Sequence, residues 1–200
     1  MNSVTSVTDI YFDNNATTPL DDRVIERMNE CWKNAFANPG SQHSFGRAAR
    51  RVLEDSRELV AEILDADASE VIFTSGGTES LNMAVHGFTF GRRGIIASTA
   101  GEHPAVQQSI SQAALSGLTS VTIPVTEFGT IQDHSLEHLP WPELRLVCLL
   151  LAHNETGVVQ DTKQLSQLCL QARVPLLLDA VQAVGKIPVS FRKLTGIFPT

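Results

Sequence analysis

Val71-Ile72-Phe73-Thr74-Ser75-Gly76-Gly77-Thr78-Glu79-Ser80 passes from a β-forming apolar run, through two glycines, into residues that start helices. Branched and aromatic side chains favour a strand, the glycine pair breaks it, and a hydroxyl followed by an acid suits a first helical turn. The spacing therefore predicts strand, turn and helix. The same alternation continues along the chain. Gly94–Ser98 reads as a strand followed by a helix from about His103. Leu118–Pro124 leads to the segment around Gly129-Thr130-Ile131. Leu146–Ala152 precedes a helix from about Thr162, and Pro175–Asp179 ends the series. The strands are continuous apolar runs, the pattern of a mostly parallel sheet with helices on both faces. The fold class is α/β, and ligands in such sheets sit at the carboxyl ends of the strands.

Before this region, Ile10-Tyr11-Phe12-Asp13 is a short extended piece. A helix is expected from Asp21, an N-cap, towards Trp32. Ala37 to Gly46 reads as a loop. From Arg47 to Leu64 the residues Ala49, Val52, Leu53, Leu59, Val60, Ile63 and Leu64 share one helical face. On that helix Arg50 and Glu54, and Arg51 and Asp55, are four residues apart; they read as a solvated face or as an anion site.

Hydrophobic content of 42% and charged content of 18% in 200 residues describe an ordinary globular chain. A net charge of −7 without a basic stripe argues against a nucleic-acid surface. Met1 to Thr8 has no basic start or apolar run, so a signal peptide is not expected, and Leu144 to Ala152 is too short to span a bilayer. Cys31, Cys148 and Cys169 are odd in number and widely spaced, which suits a reducing cytoplasm.

Several positions could carry chemistry. Ser75-Gly76-Gly77-Thr78 lets backbone N–H groups approach an anion at a helix start, although the same residues serve as a plain glycine turn with a cap. It is neither a Walker A sequence nor a dinucleotide fingerprint. Asp179, after three leucines, either caps the next turn or meets a cationic N–H such as a protonated ring nitrogen. Gln182 could reach the same pocket. Asn154, in Ala152-His153-Asn154-Glu155-Thr156-Gly157, is an amide donor past a strand end or part of a polar turn. His103 could stack on a ring and move protons, or stand at the surface. His134-Ser135-Leu136-Glu137-His138 has H-x-x-E-H spacing, but Pro140 and Pro142 leave little more than one helical turn, so it reads as a surface connection with no metal.

Taken together these segments resemble the cysteine desulfurases, in the class V aminotransferase group of fold type I pyridoxal-phosphate enzymes. The landmarks are Asp13-Asn14-Asn15-Ala16-Thr17-Thr18-Pro19, Asn38-Pro39-Gly40-Ser41, Ser75 to Ser80, Glu102-His103, Asn154-Glu155-Thr156-Gly157-Val158, and Asp179-Ala180-Val181-Gln182 with Gly185-Lys186. The resemblance implies an amino-terminal arm at residues 1–18 and a cofactor-binding large domain at residues 19–200, incomplete at the carboxyl end. It implies pyridoxal 5'-phosphate as cofactor, with the phosphate on Gly77 and Thr78, the ring under His103, its nitrogen on Asp179 and its phenolic oxygen on Asn154 and Gln182. It makes His103 catalytic and places Asn154 near the substrate carboxylate.

The implied reaction takes sulfur from L-cysteine as a persulfide, releases L-alanine and hands sulfur to an acceptor protein for iron–sulfur or thio-cofactor synthesis. A cytoplasmic homodimer is implied, without nucleic acid or membrane. The family's cofactor-bonding lysine follows a Ser-x-His pattern, into which Leu194 to Thr200 does not lead; Lys33, Lys163, Lys186 and Lys193 stand elsewhere. The persulfide cysteine and substrate arginine match nothing here, and His153 replaces a frequent asparagine. The sequence is thus expected to be catalytically incomplete. A selenocysteine lyase, another aminotransferase, or a non-catalytic piece or half of a split enzyme remain the alternatives.

Overall fold

The structure, a computed structural model, describes residues 10–195. The expectations for Met1 to Thr8 and for Gly196 to Thr200 lie outside the described residues. The chain forms two compact units that meet at Ser56 and Arg57.

In the first unit, α1 (Asp22–Asn34) begins at Asp21, whose side chain accepts from the Arg23 amide at 2.9 Å. That is an N-cap placed as the sequence predicts. No residue of α1 is buried, and Val24, Ile25, Met28 and Trp32 are exposed. The second helix, α2 (Ser44–Leu64), crosses the boundary between the units. It starts inside the stretch expected to be a loop. The His43 imidazole explains this: its Nδ1 accepts from the Gly46 amide at 3.2 Å, and the His43 carbonyl accepts from Arg47 at 3.0 Å. A histidine cap extends the helix by part of a turn. Of the residues that share one apolar face in sequence, Leu59 and Ile63 are exposed.

The second unit contains α3 (Gly77–Thr89), β1 (Gly94–Thr99), α4 (Pro104–Leu115), β2 (Leu118–Ile123), α5 (Asp133–Leu136), β3 (Leu144–Leu150), α6 (Lys163–Ala172), β4 (Leu176–Asp179) and α7 (Phe191–Thr195). The four strands are parallel in the order β2-β1-β3-β4. Alternate residues on each strand feed opposite cores, as the two-residue period of a strand requires. Ala97, Val147 and Leu149 pack with Leu136, Leu165 and Cys169 of α5 and α6. Ile96, Leu146 and Cys148 pack with Leu81 and Val85 of α3 and Val106 and Ile110 of α4. Helices therefore cover both faces, and the doubly covered α/β sheet expected from the apolar runs is present.

Val71–Thr74 forms no strand. Val71 is extended, but Ile72 and Phe73 are exposed at 68% and 46%. A strand exists only with a ladder partner, and no described strand runs beside this segment. Arg57 holds it instead: its guanidinium donates to the Val71 carbonyl and lies 5.1 Å from the Phe73 ring centre. Among the described residues no helix is long and apolar enough to cross a membrane.

The order of the strands fixes where a ligand can sit. From β1 the chain passes through α4 to β2 on one side; from β3 it passes through α6 to β4 on the other. Departures in opposite directions open a crevice past the carboxyl ends of β1 and β3. The loops there carry Glu102-His103 and His153-Asn154.

Candidate cofactor site

The glycine turn forms the first wall. Helix α3 starts at Gly77 with Gly76 as N-cap and no side-chain cap. Its first amides thus lack the acceptor that a Ser or Asp cap would bring, and an anion is the natural substitute. The turn is braced from below: Thr74 Oγ1 and Ser80 Oγ lie 2.7 Å apart, and the Ser80 amide donates to the Gly76 carbonyl at 3.2 Å. Glu79 turns back to the Ser75 amide at 2.7 Å; the Ser75 hydroxyl first and its amide second hold this carboxyl below the usual range.

The second wall follows β4. Asp179 is the last residue of that strand, opposite Leu150 in register, and only 4% exposed. Its Oδ1 accepts from the Val181 amide at 3.1 Å. The two readings of Asp179 therefore coexist: it caps the following turn, and it remains a buried carboxylate at the crevice. That turn brings Val181 against α3, where a β-carbon on Gly77 would stand 3.2 Å from Val181 Cγ2. The phosphate-type turn and the carboxylate turn are thus neighbours. Gln182 follows in the same turn, and its carbonyl oxygen accepts from the Lys186 ammonium.

The third wall is the β1–α4 loop. His103 is the N-cap of α4, with Pro104 at the first helical position. Its Nδ1 accepts from the Ala105 amide at 3.1 Å, so the neutral ring carries its proton on Nε2. The ring is exposed. Gln107 holds the loop from the helix, donating to the carbonyls of Ala100 and Glu102 at 3.1 and 3.0 Å. Helices α3 and α4 are tied by Ser109, which donates to Asn82 at 2.7 Å while Asn82 donates to the Thr78 carbonyl at 2.8 Å. This link fixes Thr78 relative to His103.

The fourth wall is the β3 exit. His153 Nδ1 accepts from the amides of Glu155 and Thr156 at 3.1 and 3.3 Å, shaping the turn that holds half-buried Asn154. The histidine ring also meets the β1–α4 loop: a β-carbon on Gly101 would lie 3.4 Å from His153 Cδ2. His153 is therefore a turn former.

Glu102 was named in sequence only as a neighbour of His103, and the structure gives it more. It is 3% exposed, Oε1 accepts from Thr99 Oγ1 at 2.6 Å, and Oε2 is buried without a hydrogen-bond partner among the described residues. Burial pushes this carboxyl up; the Thr99 hydroxyl and the backbone of Leu150 and Thr99 offset part of that, and the Asp179 charge adds to it. The available signal was a carboxylate in a tight loop between an apolar strand and the helix that covers it. A cleft of about 510 Å³ between α3 and α4, lined by Asn82, His86, Thr89 and Gln112, is a separate feature. The H-x-x-E-H segment holds only the single turn of α5, and no group of three metal-type ligands stands together among the described residues.

A parallel α/β sheet with an open helix N-terminus and a buried carboxylate on adjoining turns defines a class of protein able to take an anionic ligand at its strand ends. The aminotransferase class-V family matches residues 10–197, and this chain belongs to it; its members use pyridoxal phosphate. The chain is 37% identical over 184 residues to a probable mitochondrial cysteine desulfurase of Dictyostelium discoideum, a match covering 90% of this chain and 41% of that protein. A solved NifS-like protein superposes with a TM-score of 0.87 at 36% identity, over 92% of this chain and 52% of that one. SspA in complex with cysteine superposes with a TM-score of 0.88 at 28% identity, over 92% and 54%. The chain spans about half the length of the relatives it matches.

The residues present fit that cofactor. Gly77 leaves the space that a side chain would fill against Val181, and Asp179 offers a buried carboxylate one turn away.

Proposed function

We propose that this chain supplies the cofactor-holding part of a pyridoxal-phosphate cysteine desulfurase, acting on L-cysteine. The observation that carries the proposal is the contact between the Gly77 turn and the turn after Asp179. It supports one ligand with an anionic group at the helix and a protonated ring nitrogen at the carboxylate.

Gly77 and Thr78 take the phosphate at the start of α3, where the helix dipole favours negative charge. Asp179, itself 4% exposed, accepts from the ring N–H in a charge-assisted bond. His103 lies over the ring, and its Nε2 is the atom able to exchange a proton, since Nδ1 is engaged by Ala105. Asn154 and Gln182 donate to the phenolic oxygen, with Asn154 also orienting the substrate carboxylate. Bound pyridoxal phosphate supplies an electron sink that labilises the amino acid's α-hydrogen.

The assembled enzyme would pass sulfur to an acceptor protein, for iron–sulfur cluster or thio-cofactor synthesis. It would work as a homodimer in the cytoplasm, a compartment that suits three free cysteines. The test is titration of the purified chain with pyridoxal phosphate, followed by absorbance and by quenching of Trp32 and Trp141. Saturable binding that weakens on Thr78→Ala and Asp179→Ala is expected. Binding untouched by either change would reject the site. Sulfide release from L-cysteine, measured with the remaining portion of the enzyme supplied, tests the reaction; activity on another amino acid without sulfide would reject desulfuration.

A further inference from the structure

We propose that Glu102 serves the cofactor site as a neutral carboxylic acid, a positioning residue that fixes the loop presenting His103 and leaves the buried negative charge at the strand ends to Asp179. The inference deepens the function proposed above and rests on that reading for its consequence at the ring.

The geometry favours the neutral form. Glu102 is 3% exposed, and its Oε1 accepts from the hydroxyl of Thr99, itself 6% exposed, while the backbone of Leu150 and Thr99 offsets only part of the effect of burial. The other oxygen is buried with no hydrogen-bond partner among the described residues. A carboxylate needs several donors to replace lost water, and a buried oxygen with none is the form least able to bear charge. The titratable groups that face it are Asp179 from β4 and Cys148 from β3, with Thr99 closing the side of β1. None is a cation, and no ion pair reaches Glu102 among the described residues. His103, the next residue, directs Nδ1 to the Ala105 amide.

The consequence is a matter of charge count. A protonated ring nitrogen brings one positive charge to Asp179. Two ionised carboxylates would leave that buried pair over-compensated, whereas a neutral Glu102 leaves it balanced. As an acid, Glu102 still bonds Thr99 and anchors the loop whose carbonyls Gln107 holds.

The test is carbon-13 NMR of the chain labelled at the glutamate carboxyl carbon, from about pH 5 to about pH 9, with and without pyridoxal phosphate. Loss of one resonance in Glu102→Gln assigns it. The expected resonance stays at the protonated-acid position through neutral pH in both states. Thr99→Val removes the hydroxyl that favours the ionised form and moves the transition higher, which identifies the resonance even if Glu102→Gln does not fold. A Glu102 resonance at the carboxylate position at neutral pH overturns the inference.

Unfolding midpoints give a second readout. A carboxyl raised in the folded state contributes stability that is present below the ordinary glutamate range and lost as pH rises through the folded value. Glu102→Gln lacks that loss, so its midpoint should gain on the native chain as pH rises; a constant difference counts against the neutral acid. A neutral Glu102 in a chain that fails to bind the cofactor overturns the proposed function and the charge balance at the ring. Cofactor binding with an ionised Glu102 overturns this inference alone.

Discussion

Val181 closes on Gly77, and a β-carbon at position 77 would stand 3.2 Å from Val181 Cγ2. The turn after Asp179 and the start of α3 are therefore set against each other by a missing side chain. Gly77→Ala forces the valine to give by a few tenths of an ångström, an overpacking cost of about 1 kcal/mol. Under the proposed function both turns hold the cofactor, so the expected result is weaker pyridoxal-phosphate binding, by about fivefold. Val181→Ala in the same chain should restore most of it. A double variant no better than Gly77→Ala would show that the contact is not the cause.

Asp179→Asn separates the two tasks of that residue. The amide oxygen can still accept from the Val181 amide, so the turn and the unfolding midpoint should change little. The charge for a ring N–H is gone. Loss of a charge-assisted bond of about 1.5–3 kcal/mol corresponds to roughly tenfold to hundredfold weaker cofactor binding. Equal losses in binding and in fold stability would mean that the carboxylate is structural only.

Much of the framework that carries these residues is legible in sequence because it rests on local rules. The leucine run before Asp179 announces a buried strand, the glycine pair announces a turn, and Pro104 marks the start of α4 behind His103. Two things were not legible. Val71–Thr74 has strand composition, but strand formation depends on a neighbour that local sequence does not contain. Glu102 looks like any loop acid; that it is buried beside Thr99 and Asp179 follows only from how three strands end together. Val181 likewise gains its role from a contact across about a hundred residues, which no spacing rule anticipates.

Gly46 lies early in α2, where propensity alone makes alanine the better residue by about 1 kcal/mol. The structure reverses that sign. A β-carbon there would fall 2.3 Å from the Ser41 carbonyl oxygen, a backbone atom that cannot swing aside. Gly46→Ala should therefore destabilise the Asn38–Gly46 segment by about 2 kcal/mol net, the upper part of the overpacking range less the propensity gain. Circular dichroism melting checks this, and a variant that melts higher than the native chain would refute the close approach.

Cys148 and Cys169 are buried under the sheet helices, and that burial sets their reactivity. It pushes the Cys169 thiol up to about 12 and that of Cys148 further in the same direction. At pH 8 only about one Cys169 in ten thousand is thiolate, the form that attacks electrophiles and sulfur. Neither residue is then suited to accept sulfur from a substrate. A small alkylating reagent should modify half-buried Cys31 in the native chain, with Cys148 and Cys169 modified only in denaturant. The sign of the pH effect follows from the same shifts. A thiol raised in the folded state contributes stability below its ordinary value near 9 and loses it as pH rises towards the folded value near 12. The unfolding midpoint should therefore fall across that window, and Cys169→Ala should flatten the fall while lowering the midpoint at neutral pH through the cavity it leaves. Rapid native labelling of Cys169 at pH 8 would contradict both its burial and its neutrality.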